Sequence, residues 1–293
     1  MLWRDCLVLL KKTLEYKTLS PVEQPKYIIF CDFDETYFPH KIDKEKQQDI
    51  YELEDYLKQK SKSGDIQIGW VTGSSIESIL DKMKRGKFRY FPHFIASNLG
   101  TEITYFSEHN FGEQDINWNS RINQDFSKEK MERMVKHLRE NHNIFLNPQT
   151  QLGISRYKHN YYYQEQDEIN DKNNLLAIEL ICKEHGVSVN INRCNPLAGD
   201  PEDSYDVDFI PIGTGKDEIV RFMLEKYKLG PENAIAFGDS GNDIKMLHAV
   251  EYGYLLQNAT QEAKNAFPNI SEDEYSKGIK MTLNKIIGLR RVK

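Results

Sequence analysis

The 293-residue sequence is poor in cysteine, with four: Cys6, Cys31, Cys182 and Cys194. None forms a CxxC pair, which excludes a zinc ribbon and a thioredoxin-like redox site, and the usage fits a reducing cytoplasm. No apolar run reaches the length of a membrane span; the longest near the start, Leu7–Leu10, is hemmed in by Arg4, Asp5, Lys11 and Lys12. No small-residue cleavage site follows it, so the first residues read as an amphipathic helix or a loosely attached tail rather than a secretion signal. Basic excess is absent too. The net charge is −6, which argues against sequence-independent nucleic-acid binding. An anionic substrate then requires local cations or a metal to offset the background. Internal repeats and low-complexity segments are also missing.

What is present is a short apolar run that stops at acids. Tyr27–Tyr37 reads YIIFCDFDETY. Its apolar half is continuous, as in strands buried on both faces of a parallel sheet. Ligands of such sheets bind beyond the carboxyl ends of the strands, so Asp32 and Asp34 are expected at the mouth of a site. Two carboxylates this close repel unless a cation or a proton relieves them.

The same theme returns downstream. Residues 43–62 carry Ile50, Leu53, Tyr56 and Leu57 at helical spacing. Ile66–Val71 is a strand that runs into Thr72, Gly73, Ser74 and Ser75, and a helix follows from Ile76. Two short strands flank Asn98-Leu99-Gly100. From about residue 112 the character changes to helices at 126–140 and 168–185 with strand-like segments at 152–164 and 187–193, an α+β pattern. The strand–helix alternation is expected to resume at Asp206, with Lys216 opening a helix. Ala234–Phe237 is another buried strand, ending in Gly238-Asp239-Ser240-Gly241-Asn242-Asp243. The expected domains are therefore a core of 1–111 and 206–293, interrupted by an inserted α+β domain at 112–205.

Strand ends that converge on one sheet edge bring Asp32, Asp34, Thr72, Asp239 and Asp243 together, with Lys216 at a helix start. Several carboxylates at one point call for a hard divalent cation, and Mg²⁺ takes such oxygen ligands while keeping waters that a phosphate replaces. A lysine, a hydroxyl and turn N–H groups suit phosphoryl oxygens. The chemistry expected is phosphoryl transfer with an attacking carboxylate. Asp32 leaves the strand first and is best placed to attack, and Asp34 to protonate the leaving oxygen and then activate water.

In combination, DFDET, WVTGSS, Lys216 and GDSGND resemble the four motifs of the haloacid dehalogenase-like phosphatases, over nearly the whole chain. The insert resembles the type-IIB cap of sucrose-phosphate and related sugar phosphatases. Within the second motif, Ser74 stands where many relatives carry Arg. The resemblance implies an α/β, Rossmann-like parallel-sheet core with an inserted α+β cap. It implies a cytoplasmic, Mg²⁺-dependent phosphatase of a hexose 6-phosphate, working as monomer or homodimer with no nucleic-acid or membrane partner. Asp32 would be the nucleophile and Asp34 the general acid/base. The metal would sit on Asp32, the Asp34 carbonyl and Asp239, with Asn242 and Asp243 behind or touching it. Thr72, Gly73 and Lys216 would hold the phosphoryl group. The cap would read the sugar through Arg156, Lys158, His159, Asn190, Asn192, Arg193 and Asp200, and an amino sugar would call on Asp200 or Glu202. Tyr161–Tyr163 is expected to pack the cap rather than stack on substrate. A hexose phosphomutase and a non-catalytic sugar-phosphate-binding module are the competing expectations.

Overall fold

The structure, a computed structural model, describes residues 16–122, 125–149, 155–194, 196 and 199–289. The N-terminal amphipathic stretch expected over residues 1–15 and the start of the expected strand at 152–154 lie outside them. Two compact units divide the chain: one from 16–119 and 216–289, the other from 120–215. No helix among the described residues is long and apolar enough to cross a membrane.

The first unit is built on a seven-stranded sheet. Its strands are β2 (Tyr27–Cys31), β3 (Ile66–Val71), β5 (Phe94–Ser97), β6 (Glu102–Tyr105), β7 (Glu113–Gln114), β12 (Ala234–Gly238) and β13 (Tyr252–Leu255), in the order β13-β12-β2-β3-β5-β6-β7. Neighbours from β13 to β5 pair in parallel, and β6 and β7 are antiparallel additions. A separate short pair, β1 (Lys17–Thr18) with β4 (Tyr90–Phe91), ties the start of the described chain to this unit. β2, β3 and β12 are buried along their whole length, as expected of strands covered on both faces.

Helices pack on this sheet through periodic apolar faces. The helix Lys44–Lys62 is capped by Asp43, whose carboxylate accepts from the Lys46 N–H at 2.9 Å, and it buries Ile50, Leu53 and Leu57. The helix Ile76–Arg85 is capped by Ser75 and buries Ile76, Ile79, Leu80 and Met83. The helix Lys216–Tyr227 buries Ile219, Val220, Met223 and Leu224.

The second unit is a four-stranded antiparallel sheet of β8 (Leu146–Pro148), β9 (His159–Gln164), β10 (Val187–Arg193) and β11 (Ser204–Pro211), ordered β10-β11-β9-β8. Its apolar face and the helices Lys128–His142 and Glu168–Glu184 share one core, with Met131, Met134, Leu138, Ile178, Tyr161, Tyr163, Val207 and Phe209. Both ends of the insert differ from expectation. The chain was expected to rejoin the parallel core at residue 206, but β11 pairs with β9 and β10, so return comes only at Lys216. The physical reason is that β11 alternates polar and apolar residues, Asp206-Val207-Asp208-Phe209, which suits a sheet with one polar face. At the other end, residues 112–119 stay with the first unit. β7 continues its sheet, and Trp118 packs on Phe222 with ring centroids 5.0 Å apart.

Candidate active site

Register sets out the site. Cys31 lies opposite Trp70 on one side and Phe237 on the other. Asp32 is one residue beyond Cys31, and Thr72 and Asp239 are each two residues beyond its partners. The three therefore leave adjacent parallel strands at the same edge.

At that edge the side chains form one buried cluster. Lys216 Nζ donates to Asp32 Oδ1 at 2.7 Å, to Asp243 Oδ1 at 2.7 Å and to Asn242 Oδ1 at 2.8 Å. Asp243 Oδ2 accepts from the N–H groups of Asp239 and Ser240 at 3.0 and 3.1 Å, so both of its oxygens are engaged. Asp239 Oδ1 accepts from the Thr36 hydroxyl at 2.9 Å. Asp32, Asp239 and Asp243 present carboxylate oxygens all within 4.8 Å of one another. This close packing depends on Gly238: a Cβ there would fall 2.3 Å from the Cβ of Asp243.

Three carboxylates crowd beside one ammonium that bonds two of them, and the electrostatics follow. Burial pushes the Asp32 carboxyl up to about 7; Lys216 opposes the shift and Asp243 adds to it. Burial, reinforced by Asp243 and Asp32, raises Asp239 well above the usual carboxylate range. Burial alone would depress the Lys216 ammonium, but Asp243 and Asp32 hold it above its usual range. A cluster that is over-negative, dry and composed of hard oxygen donors fits a divalent cation such as Mg²⁺. Asp243 has both oxygens engaged, by Lys216 and by backbone N–H groups, whereas among the described residues Asp32 and Asp239 each accept a side-chain hydrogen bond through one oxygen, which makes these two the more open donors to an ion.

The loop after β2 is held rigidly. Glu35 adopts φ +54°, and its N–H donates to the Phe38 carbonyl at 2.9 Å. Its carboxylate accepts from the Tyr275 hydroxyl at 2.9 Å, and its carbonyl from Asn258 Nδ2 at 2.6 Å. The Thr72 turn is fixed by its own backbone: Thr72 N–H donates to Ala96 O at 2.9 Å, and Ser74 N–H donates to Thr72 Oγ1 at 3.1 Å. Among the described residues the Thr72 hydroxyl donates to none, which leaves its proton for an oxygen of a ligand. Gly73 lies in the same turn.

Asp34 points to a different set of partners from Asp32. Its Oδ2 accepts from Ser74 Oγ at 2.7 Å, and its Oδ1 lies 2.6 Å from Lys82 Nζ. Sequence reasoning missed Lys82, since a lone lysine on an amphipathic helix carries no signal.

The second unit sorts its expected residues onto two faces. Directly opposed residues of antiparallel strands share a face. Asn190 opposes Asp208, Asn192 opposes Asp206, and Asn160 and Tyr162 oppose the same two acids from the other side. This polar face holds two of the expected residues, Asn190 and Asn192. Lys158, 3.7 Å from Asp208 Oδ2, and Asp200, which accepts from the Tyr162 hydroxyl at 2.9 Å, join it. His159 instead opposes Phe209 on the apolar face and meets the Phe126 ring at 5.5 Å. Arg193 opposes Tyr205 and is paired with Glu165 at 2.6 Å. Arg156 is an exposed residue that lies over the Tyr157 ring. Of the three tyrosines expected to pack the cap, Tyr161 and Tyr163 do so, whereas Tyr162 turns to the polar face. Asp206 and Asp208, the face's central acids, escaped sequence reasoning because their strand was assigned to the core.

Comparison with known proteins identifies the family and the fold. Residues 25–280 match the family model of sucrose-6F-phosphate phosphohydrolase. Kanosamine-6-phosphate phosphatase of Bacillus subtilis is 79% identical over 281 residues, 96% of this chain and 100% of that one. A crystal structure of a haloacid dehalogenase-like hydrolase from B. subtilis superposes with TM-score 0.77 at 78% identity, covering 97% of this chain and 99% of the other. Sucrose-phosphatase from Synechocystis, solved with sucrose and phosphate, shares the fold at TM-score 0.70 and 18% identity, over 90% of this chain and 98% of its own. The four motifs, three at strand ends and one at a helix start, and these likenesses lead to one assignment: the chain belongs to the sucrose-6F-phosphate phosphohydrolase family of haloacid dehalogenase-like hydrolases.

Proposed function

We propose that this protein hydrolyses the phosphate ester of a hexose 6-phosphate, with kanosamine 6-phosphate as its preferred substrate. The observation that carries the reading is the buried contact of Lys216 with Asp32 inside a cluster of three carboxylates. A binding module needs no nucleophile beside a phosphate-sized cationic donor. The choice of sugar rests on the B. subtilis relative, whose name states that substrate.

An Asp32 oxygen attacks phosphorus, the bond from phosphorus to the sugar oxygen breaks, and Asp34 gives that oxygen its proton. Water then attacks the aspartyl-phosphate and yields a proton to Asp34. The phosphorus–Asp32 bond breaks and the carboxylate is restored. Thr72 and the Gly73 turn orient the phosphoryl oxygens, and Lys216 fixes Asp32 while adding positive charge beside them. Asp32, the Asp34 carbonyl and Asp239 would hold Mg²⁺, with Asn242 and Asp243 steadying them. When bound, the ion supplies neutralisation of the phosphoryl charge.

For the sugar, the polar sheet face of the second unit offers Asp206 and Asp208 as acceptors. Asp208 has Lys158 as a counter-charge. Among the described residues Asp206 makes no ion pair and accepts instead from Gln149 Nε2 at 2.7 Å. An uncompensated carboxylate on a polar face suits the 3-ammonium of kanosamine (3-amino-3-deoxyglucose), and so takes the role expected of Asp200 or Glu202.

The test is phosphate release with Mg²⁺ across a panel of hexose 6-phosphates that includes kanosamine 6-phosphate and glucose 6-phosphate. Preference for the amino sugar, with Asp32→Asn inactive, is the expected result. Equal turnover of both sugars would remove the substrate assignment and leave the mechanism. Full activity of Asp32→Asn would remove the mechanism.

A further inference from the structure

Lys82 lies outside all four motifs and ends up against Asp34. Its ammonium is 2.6 Å from Asp34 Oδ1 and donates to Ser74 Oγ at 2.9 Å, while Ser74 Oγ donates to Asp34 Oδ2 at 2.7 Å. The three groups close a triangle: Asp34 Oδ2 accepts the hydrogen bond from Ser74, and Oδ1 faces the Lys82 ammonium as an ion pair. The Lys82 side chain is only 13% exposed and that of Asp34 26%, so this is not a solvated surface pair. His40 Nε2 stands 3.6 Å from Asp34 Oδ1 and 3.8 Å from Glu35 Oε1.

The origin of Lys82 explains its precision. The turn bearing Thr72 and Ser74 runs straight into the helix Ile76–Arg85, whose apolar residues lock it into the core. Lys82 and Ser74 thus ride on one rigid strand–turn–helix unit, and Asp34 rides on another. The triangle joins them. We infer that Lys82 is a positioning residue that, with Ser74, aims the Asp34 carboxyl at the sugar oxygen leaving phosphorus. Each Asp34 oxygen keeps a second lone-pair direction, so the tie leaves the carboxyl free to pass its proton to that oxygen. An acid displaced by about 1 Å loses on the order of 10²-fold in rate, and general acid catalysis as a whole contributes on the order of 10²–10⁴-fold.

The inference rests on the assignment of Asp34 as the acid, and leaving-group dependence tests the two separately. A sugar alkoxide needs the proton; dinitrophenolate leaves without one. Lys82→Met, which keeps the stem, is expected to lower kcat/KM for a hexose 6-phosphate about 100-fold and for 2,4-dinitrophenyl phosphate less than about fivefold. Asp34→Asn should show the same selectivity, more strongly. Ser74→Ala, a smaller change suited to the case in which Lys82→Met fails to fold, should shift the two substrates apart in the same sense. Lys82→Arg, which retains the cation, should recover most of the loss. Equal losses on both substrates in Lys82→Met and Ser74→Ala, or no loss on either, would overturn the role of Lys82 while a selective Asp34→Asn left the acid assignment standing. A non-selective Asp34→Asn would overturn both.

Discussion

Gly238 and Asp243 approach so closely that a single methyl group on the glycine would lie 2.3 Å from the aspartate Cβ. The carboxylate so confined is the one that steadies Lys216 and the N–H groups of Asp239 and Ser240. Gly238→Ala therefore strikes the cluster rather than the strand. We expect it to cost about 1–3 kcal/mol by overpacking and to lower kcat about 100-fold through misplacement. Urea titration and steady-state kinetics read the two effects; unchanged kcat would show that Asp243 can move without carrying Lys216 along.

Lys216 is bonded to two of the three clustered carboxylates, Asp32 and Asp243. Lys216→Met leaves them uncompensated and should destabilise the chelator-treated protein by about 3–5 kcal/mol. Mg²⁺ should restore part of this. In the wild type, Mg²⁺ at 100 times its Kd should add about 2.7 kcal/mol. Denaturation midpoints with EDTA and with Mg²⁺ check both, and a midpoint indifferent to Mg²⁺ would refute the ion site.

Asp206 predicts a pH effect of definite sign. Burial, then Asp208 and Asp200, raise its pKa from 3.8 to about 6, so the folded chain holds this proton more tightly than the unfolded chain. The stability it contributes is complete below pH ~4 and is lost as pH rises through about 6, an effect on the order of 3 kcal/mol. Asp206→Asn should flatten that part of the stability profile. In kinetics it should also erase the preference for the amino sugar over glucose 6-phosphate. A preference that survived would move ammonium recognition elsewhere.

Tyr275 donates to the carboxylate of Glu35, a residue held at φ +54°. Tyr275→Phe removes a hydrogen bond to a charged acceptor and should cost about 1.5–3 kcal/mol. Thermal unfolding measures it. Because Asn258 still holds the Glu35 carbonyl, kcat should fall less than tenfold.

Much of this architecture is legible in residue patterns. YIIFC and AIAFG are continuous apolar runs ending in acids, and both became buried parallel strands with site residues at their ends. The helices beginning at Lys44, Ile76 and Lys216 follow from apolar spacing, and two of them from a cap residue as well. What escaped was the sheet to which Ser204–Pro211 belongs. Its alternation of Asp206 and Asp208 with Val207 and Phe209 marks a strand with one wet face, unlike the unbroken runs of the core. Reading that alternation would have moved the boundary and found both acids. Lys82 is different in kind, because its role depends on a contact across 48 residues that no local pattern encodes.

The strand that leads into Asp32, Tyr27–Cys31, lies between one neighbour that follows it closely, Ile66–Val71, and another, Ala234–Gly238, made some 200 residues later. During synthesis Asp32 therefore emerges long before Lys216, Asp239 or Asp243. The second unit, whose described strands all lie within 120–215, is complete in the nascent chain while the first still lacks β12 and β13 at one end of its sheet. The carboxylate cluster is thus completed late, only when residues 234–243 have been released to pair with a strand made some 200 residues before.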